Sequence, residues 1–256
     1  MFFLLSSCTP PIGDHHPEWK KYFDEFNVTG CIEIYDLKES AFTDYNPDRC
    51  AQRFIPASTF NILNSLVALE TKVVFDEHYV IELDSIKRDI PAGKYDQDME
   101  EAFKNSTAWY YQEVARRVGL SKMQQYLHLL HYGNMQTGSI IDSFWLNGDL
   151  RISCDEQIEF LKNFYTYQFP VTKRSVDIVK KIVLQKHTSG YSISGETGWG
   201  KESGKNIGWY IGYVVKDTGV YFFALNIESS EKQPKNFAEV RSTITMDILK
   251  DLKILP

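Results

Sequence analysis

Ser58 and Asn61 stand three residues apart in Pro56-Ala57-Ser58-Thr59-Phe60-Asn61. The stretch that follows, residues 60–69, is apolar on nearly every face, which is the signature of a helix buried on all sides. Pro56 sets φ for a helix start, and Ser58 and Thr59 stand where caps belong. The arrangement puts a hydroxyl at the first turn of a core helix, where free N–H groups and the positive end of the dipole favour developing negative charge. A serine there is a candidate nucleophile. It is equally an ordinary helix cap, and this stretch alone does not separate the two.

Proteins that use such a serine need a base beside it, because an unassisted hydroxyl is a weak nucleophile. Residues i and i+3 share a helix face, so Asn61 points toward Ser58. Its amide can orient a hydroxyl or a water but cannot take a proton near neutral pH.

Pro56-Ala57-Ser58-Thr59-Phe60 followed by Asn64-Ser65-Leu66 resembles the active-site helix of class D β-lactamases, the oxacillinases, and of the related penicillin-binding sensor domains. That family carries lysine three residues after the serine, in S-x-x-K. The likeness runs over roughly residues 18–255. Ser106-Thr107-Ala108 stands where the family has S-x-V, which makes Ser106 the hydroxyl that relays a proton to the leaving nitrogen; alone it reads as a helix cap. Tyr132-Gly133-Asn134 matches the family's Y-G-N intact and places Tyr132 and Asn134 among the substrate-binding residues. Trp145, in Phe144-Trp145-Leu146-Asn147-Gly148, aligns with the tryptophan that shelters the modified lysine; its alternative is a core aromatic. Glu196-Thr197-Gly198 stands at the family's K-T-G. Thr197 and Gly198 would contact the substrate, and the N–H groups of Ser58 and Trp199 would form the oxyanion hole. Arg241 matches the arginine that holds the substrate carboxylate.

Two departures therefore fall on the chemistry. In the family the S-x-x-K lysine carries a carbamate and acts as general base. Asn61 cannot form one, so no cofactor is expected. A positioned base is worth roughly 10²–10⁴-fold. Glu196 replaces an ammonium with a carboxylate. At about 4 Å and an effective dielectric of about 20, one charge pair is worth on the order of 4 kcal/mol. Glu196 is thus expected to turn the cleft against anionic ligands, unless Lys201, Lys205 or Arg241 locks it in a salt bridge.

The elements that must position these residues are legible from pattern. Residues 18–26 read as an amphipathic helix, and 28–36 and 41–46 as two strands around a turn at 37–40. Residues 87–93 read as an extended turn. Helices are expected at 99–104, 110–118, 121–131, 155–167 and 173–184, and strands at 191–197, 207–215 and 220–227; residues 237–252 close the chain as a helix. Strands at both ends with helices between them give an α+β fold: an antiparallel sheet assembled from both termini, covered by helices, with a helical lobe from the middle of the chain. The family resemblance implies the serine β-lactamase/penicillin-binding transpeptidase-like fold, with Ser58, Ser106, Tyr132 and Glu196 meeting in one cleft.

The 256 residues, 43% hydrophobic and 24% charged, suffice for one sizeable core, read as a single domain over residues 14–256. A net charge of -6 with no basic block argues against nucleic acid as a partner. Leu5-Ser6-Ser7-Cys8 resembles a bacterial lipoprotein cleavage box, so residues 1–13 read as a remnant signal and spacer with Cys8 as lipid anchor, or as an apolar tail. That reading, with the family resemblance, implies a periplasmic or outer-surface location. Cys31, Cys50 and Cys154 make no disulfide framework. A Cys31–Cys50 bridge across the first strand pair, or unpaired buried thiols, are the two expectations. Oligomeric state stays open.

Three functions fit. The first is a class D β-lactamase-like protein that recognises β-lactams through Ser58, with hydrolysis weak or absent. The second is an active serine hydrolase or acyl transferase with an altered base and substrate. The third is a pseudoenzyme whose cleft binds a cell-wall peptide or a partner.

Overall fold

A computed structural model describes residues 13–83, 96–230 and 236–256. The expected turn at 87–93 and Cys8 lie outside these. Seven strands form one sheet: β1 (Asp14–His15), β2 (Thr29–Asp36), β3 (Ala41–Tyr45), β4 (Leu184–His187), β5 (Tyr191–Glu202), β6 (Lys205–Lys216) and β7 (Gly219–Ser230). Their order is β1-β3-β2-β7-β6-β5-β4. Both ends of the chain thus feed one sheet, with β2 pairing β7 in register from Thr29–Glu228 to Asp36–Tyr221. The sheet is antiparallel except at its edge, where the two-residue β1 runs parallel to β3.

The central strands are buried on both faces, so each carries two apolar sets. On β2, Ile32 and Ile34 point toward α1 (Lys20–Glu25) and α9 (Phe237–Asp251). Cys31 and Tyr35 point the other way, into the larger core shared with the helical lobe. Along α9, Phe237, Val240, Ile244 and Ile248 recur at helical spacing and are all buried against β6 and β7.

The lobe comprises α3 (Asn61–Glu70), α4 (Met99–Lys104), α5 (Ala108–Val118), α6 (Leu120–Leu129), α7 (Cys154–Tyr165) and α8 (Lys173–Ile182); the short α2 (Pro47–Cys50) follows β3. Residues 61–69 of α3 are all buried, as an all-round apolar sequence requires. Two of its polar members bond to α5: Asn64 Nδ2 donates to the Tyr111 carbonyl at 3.1 Å, and Ser65 Oγ lies 3.0 Å from the Tyr111 hydroxyl. α7 opens with a capping box, Ser153 accepting from the Glu156 N–H and Glu156 from the Ser153 N–H.

Several boundaries differ from expectation. β5 runs on to Glu202 through Gly198 and Gly200. β1, α2 and β4 were not anticipated, since two to four residues carry too little periodicity to read. Residues 57–60 form a 3₁₀ turn ahead of α3, so Ser58 sits inside a tight turn rather than capping the α-helix.

The loop after α6 depends on one glycine. Gly133 has φ +55°, and a Cβ there would stand 2.1 Å from the Arg151 carbonyl oxygen. Gly119, at φ +82°, has nothing within 4 Å of the same position. Gly133→Ala should therefore combine left-handed strain with a backbone clash and cost about 2–4 kcal/mol of unfolding free energy. Gly119→Ala, at φ +82° and ψ +153° in a region open essentially to glycine alone, should show backbone strain without a clash, about 1–3 kcal/mol. Urea denaturation of the two variants checks the difference, and equal losses would show that the Arg151 contact yields freely.

Candidate active site

The Ser58 turn is held from three sides. Thr59 Oγ1 donates to the Pro56 carbonyl at 2.8 Å and accepts from Gln157 Nε2 at 2.9 Å, tying the turn to α7. The Ala57 N–H donates to the Trp145 carbonyl at 2.9 Å. Phe60, fully buried, packs edge-on against Tyr132 and Phe144 and tilted on Trp145, with centroids 5.1–5.7 Å apart. Ser58 itself is half-buried, and Asn61 opens α3 at 2% exposure.

Both candidate hydroxyls lie at strained backbone. Ala57, immediately before Ser58, has φ +49°, and Ser106 has φ +49°. A non-glycine residue in the left-handed region costs about 1–3 kcal/mol and persists only where its surroundings enforce it. Composition gives no hint of this, because neither position holds the glycine or asparagine that usually marks it.

β5 closes the site against the serine turn. Glycine at 198 and 200 is what allows the approach: a Cβ at 198 would meet the Pro56 carbonyl oxygen at 2.9 Å, and one at 200 would meet Ile55 at 2.6 Å. Trp209, on the next strand, locks the same junction by donating from Nε1 to the Ile55 carbonyl at 2.8 Å.

Across this junction Ser106 Oγ donates to Glu196 Oε1 at 2.9 Å, joining residues 90 positions apart. Glu196 is 5% exposed and borders a cleft of about 450 Å³ that includes Phe103, Lys104, Ile182, Leu184 and Gln185. Burial holds its carboxyl protonated well above the ordinary carboxylate range; the Ser106 hydrogen bond and the nearby Arg241 charge oppose this without cancelling it. Arg241 is also buried, which lowers it to about 10, so it stays charged near neutral pH. It donates from Nε to the Ala238 carbonyl at 3.1 Å and from a guanidinium nitrogen to the Gly198 carbonyl.

This corrects the expected electrostatics. A protonated Glu196 does not make the cleft anionic, and the two lysines do not lock it. Lys205 pairs with Glu228 at 2.7 Å and Lys201 is exposed. The fixed charge beside Ser106 and Glu196 is that of Arg241.

The structure joins Ser106 to Glu196, Arg241 to the Gly198 carbonyl, and Gly198 to Pro56 and Thr59 on either side of Ser58 in the chain. Thr197 is half-buried on the alternate face of β5 from Glu196. The Trp199 ring packs on Phe237 and donates to Asn206 Oδ1 at 3.2 Å, so only its backbone is directed by the site. Tyr132 and Trp145 were expected to meet ligand. They are 0% and 1% exposed, and serve as the aromatic backing of Phe60. Asn134 is likewise structural here: its Oδ1 accepts from the Arg151 N–H at 3.0 Å and its Nδ2 donates to the Asp149 carbonyl at 2.8 Å. Phe60 reads from the sequence only as a motif residue with no role, and Gln157, which also holds the serine turn, was not singled out, since nothing in the sequence distinguishes it from other buried residues.

A raised carboxyl pKa has a signed consequence. Its contribution to stability is fully present below the unfolded pKa of about 4.3 and is lost as pH rises toward the folded value. Relative to Glu196→Gln, the wild-type chain should lose about 1.4 kcal/mol per pH unit above that point. Denaturant titrations of both proteins from pH 4.5 to 7 measure the difference, in which the slopes of all other groups cancel. A pH-independent difference would mean that Glu196 is ionised.

Comparison with known proteins agrees with this architecture. The family described as penicillin binding protein transpeptidase domain matches residues 23–250. β-Lactamase OXA-48 of Klebsiella pneumoniae is 39% identical over 239 residues, covering 93% of this chain and 89% of that protein. The crystal structure of the class D β-lactamase YbXI from Nostoc superposes with a TM-score of 0.89 at 38% identity, covering 94% of this chain and 100% of the other. The C-terminal domain of the Bacillus licheniformis BlaR penicillin-receptor also gives a TM-score of 0.89, at 29% identity, covering 97% and 100%. With its sheet, its lobe and a serine turn at their junction, the chain belongs to the penicillin-binding transpeptidase family and, within it, to the class D β-lactamases.

Proposed function

We propose that this chain recognises β-lactams, or peptidoglycan peptides of similar shape, through acylation of Ser58, and that it hydrolyses them weakly or not at all. The observation that carries the reading is the pair of substitutions around the hydroxyls: an amide at 61 and a buried, protonated carboxyl at 196. Neither can accept a proton near neutral pH. Ser58 still has the strained turn and the first-turn position that favour attack, and Arg241 still offers a cation for a substrate carboxylate. Glu196 accepts a hydrogen bond from Ser106 while burial raises its pKa, so it stands as a neutral acid rather than as a base for water. Deacylation, which needs a base, is the step most impaired.

The relation to the BlaR penicillin-receptor domain favours capture over turnover. The alternative, in which Glu196 acts as base through water, is disfavoured by the same burial that protonates it. The proposal includes an extracytoplasmic setting, where such ligands are met, with Cys8 as lipid anchor; metabolic labelling with a fatty acid tests the anchor.

Incubation with a reporter penicillin, followed by intact-mass analysis, separates the cases. A persistent adduct on Ser58, absent in Ser58→Ala, is expected. Rapid turnover would favour the active hydrolase, and no adduct the non-covalent binder.

Restoring the base should reverse the defect in part. Asn61→Lys should raise the acylation rate at least about 10-fold, a partial recovery of the roughly 10²–10⁴-fold a positioned base supplies. Adding Glu196→Lys should help more than additively, since residues of one network couple. A double variant that hydrolyses penicillin no faster than wild type would show that these two positions are not the cause of low turnover.

A further inference from the structure

The mechanism leaves unused a cluster of three thiols. Cys31 on β2, Cys50 at the end of α2 and Cys154 at the first position of α7 are free and at most 1% exposed. Their sulfurs all lie within 4.8 Å of one another, and Cys31 and Cys154 are 3.5 Å apart. Of the two expectations, unpaired buried thiols hold and a Cys31–Cys50 bridge does not; the sulfur hydrogen-bonded to Cys31 comes from 123 residues away.

We propose that Cys31, Cys50 and Cys154 form a binding site for a thiophilic d¹⁰ metal ion of the zinc class. A metal–sulfur bond of about 2.3 Å places ligand sulfurs roughly 3.8–4.0 Å apart in tetrahedral or trigonal geometry. The Cys31–Cys154 separation of 3.5 Å is just below that value and no pair exceeds 4.8 Å, so the three sulfurs could close on one ion with small rotamer shifts. Thiolate ligands select such soft or borderline ions over the harder divalent cations. On binding, each coordinating thiol releases its proton to solvent and no redox partner is needed.

Two polar groups lie beside the cluster. Glu33 follows Cys31 by two residues on the same face of β2, and its Oε2 is buried with no hydrogen-bond partner. It is close enough to act electrostatically on Cys50. Its carboxylate is not within ligating reach of all three sulfurs, so the described protein ligands are the three thiols. Arg49 precedes Cys50, and its buried Nε is also without a partner. Its positive charge, felt at Cys31, offsets the charge of the thiolates.

The site would join elements that also frame the active site. Ile152, two residues before Cys154, exchanges both backbone hydrogen bonds with Phe54 at 2.9 Å, and Phe54 leads into the Ser58 turn. An ion there would tie β2, α2 and α7 together behind that turn.

The thiols are too buried for rapid entry, so the ion is supplied during folding. The full chain is expressed, or refolded under reducing conditions, with cadmium(II) or zinc(II), then desalted and analysed for metal. About one ion per chain is expected, with a thiolate-to-cadmium charge-transfer band in the ultraviolet. Cys50→Ser should lose both while keeping its circular dichroism spectrum and its Ser58 adduct with penicillin. If Cys50→Ser does not fold, the wild-type cadmium band and stoichiometry decide alone. No retained metal, metal unaffected in a folded Cys50→Ser, or an intact mass lacking two hydrogens, which marks a disulfide, would each overturn the site. The Ser58 adduct is read separately, so failure here leaves the functional reading untouched.

Discussion

The hydrogen bond from Ser106 to Glu196 is the contact on which the account rests. It joins the helical lobe to β5 through a carboxyl that burial keeps protonated. Everything needed to bring the two together is built elsewhere: the glycines that let β5 approach the serine turn, the left-handed backbone of Ser106, and the two-faced sheet that fixes β5. The relatives' motif puts lysine at position 196, and an ammonium there would donate to Ser106. Here the carboxyl accepts from Ser106 instead. The polarity of this bond is reversed, while the fold around it stays that of the class D β-lactamases.

Asn61 completes the change. The amide keeps a polar group of moderate size at a buried position beside Ser58 but removes the titratable nitrogen. The two substitutions act on different parts of the reaction. Asn61 withholds the base for attack by Ser58 and for attack by water. Glu196 alters proton delivery through Ser106 and leaves Arg241 as the fixed cation of the junction. A site with a nucleophile and a buried cation but no base would be slowed in both half-reactions, and the proposal places the greater loss on attack by water.

Much of the architecture was legible because it rests on local signals. The helix at Met99–Lys104 was readable to the residue, its start marked by Asp98, whose side chain accepts from the Glu101 N–H. The strands of the two terminal regions show clear runs of apolar residues. What escaped was tertiary. β5 was expected to end at Thr197, just before Gly198; it continues because Gly198 faces the backbone of Pro56 and Thr59 and Gly200 the side chains of Ile55 and Ala57. Tyr132 and Trp145 are recognisable as motif residues, yet no pattern tells an aromatic that touches ligand from one that backs Phe60. A bridge from Cys31 to the cysteine nearest in sequence was one of two expectations, while the sheet and α7 bring Cys154 within hydrogen-bond distance. The charge of Glu196 could not be read at all, since it is set by burial among residues distant in the chain.

The ionisation state of Glu196 is therefore the central claim. The most direct measurement is ¹³C NMR of the glutamate side-chain carboxyls, with the Glu196 signal assigned by its loss in Glu196→Gln, followed from acidic to neutral pH. The account predicts a Glu196 resonance at the protonated position that persists well above the range in which exposed glutamates titrate. A Glu196 signal that titrates with them, and is carboxylate at neutral pH, would contradict it.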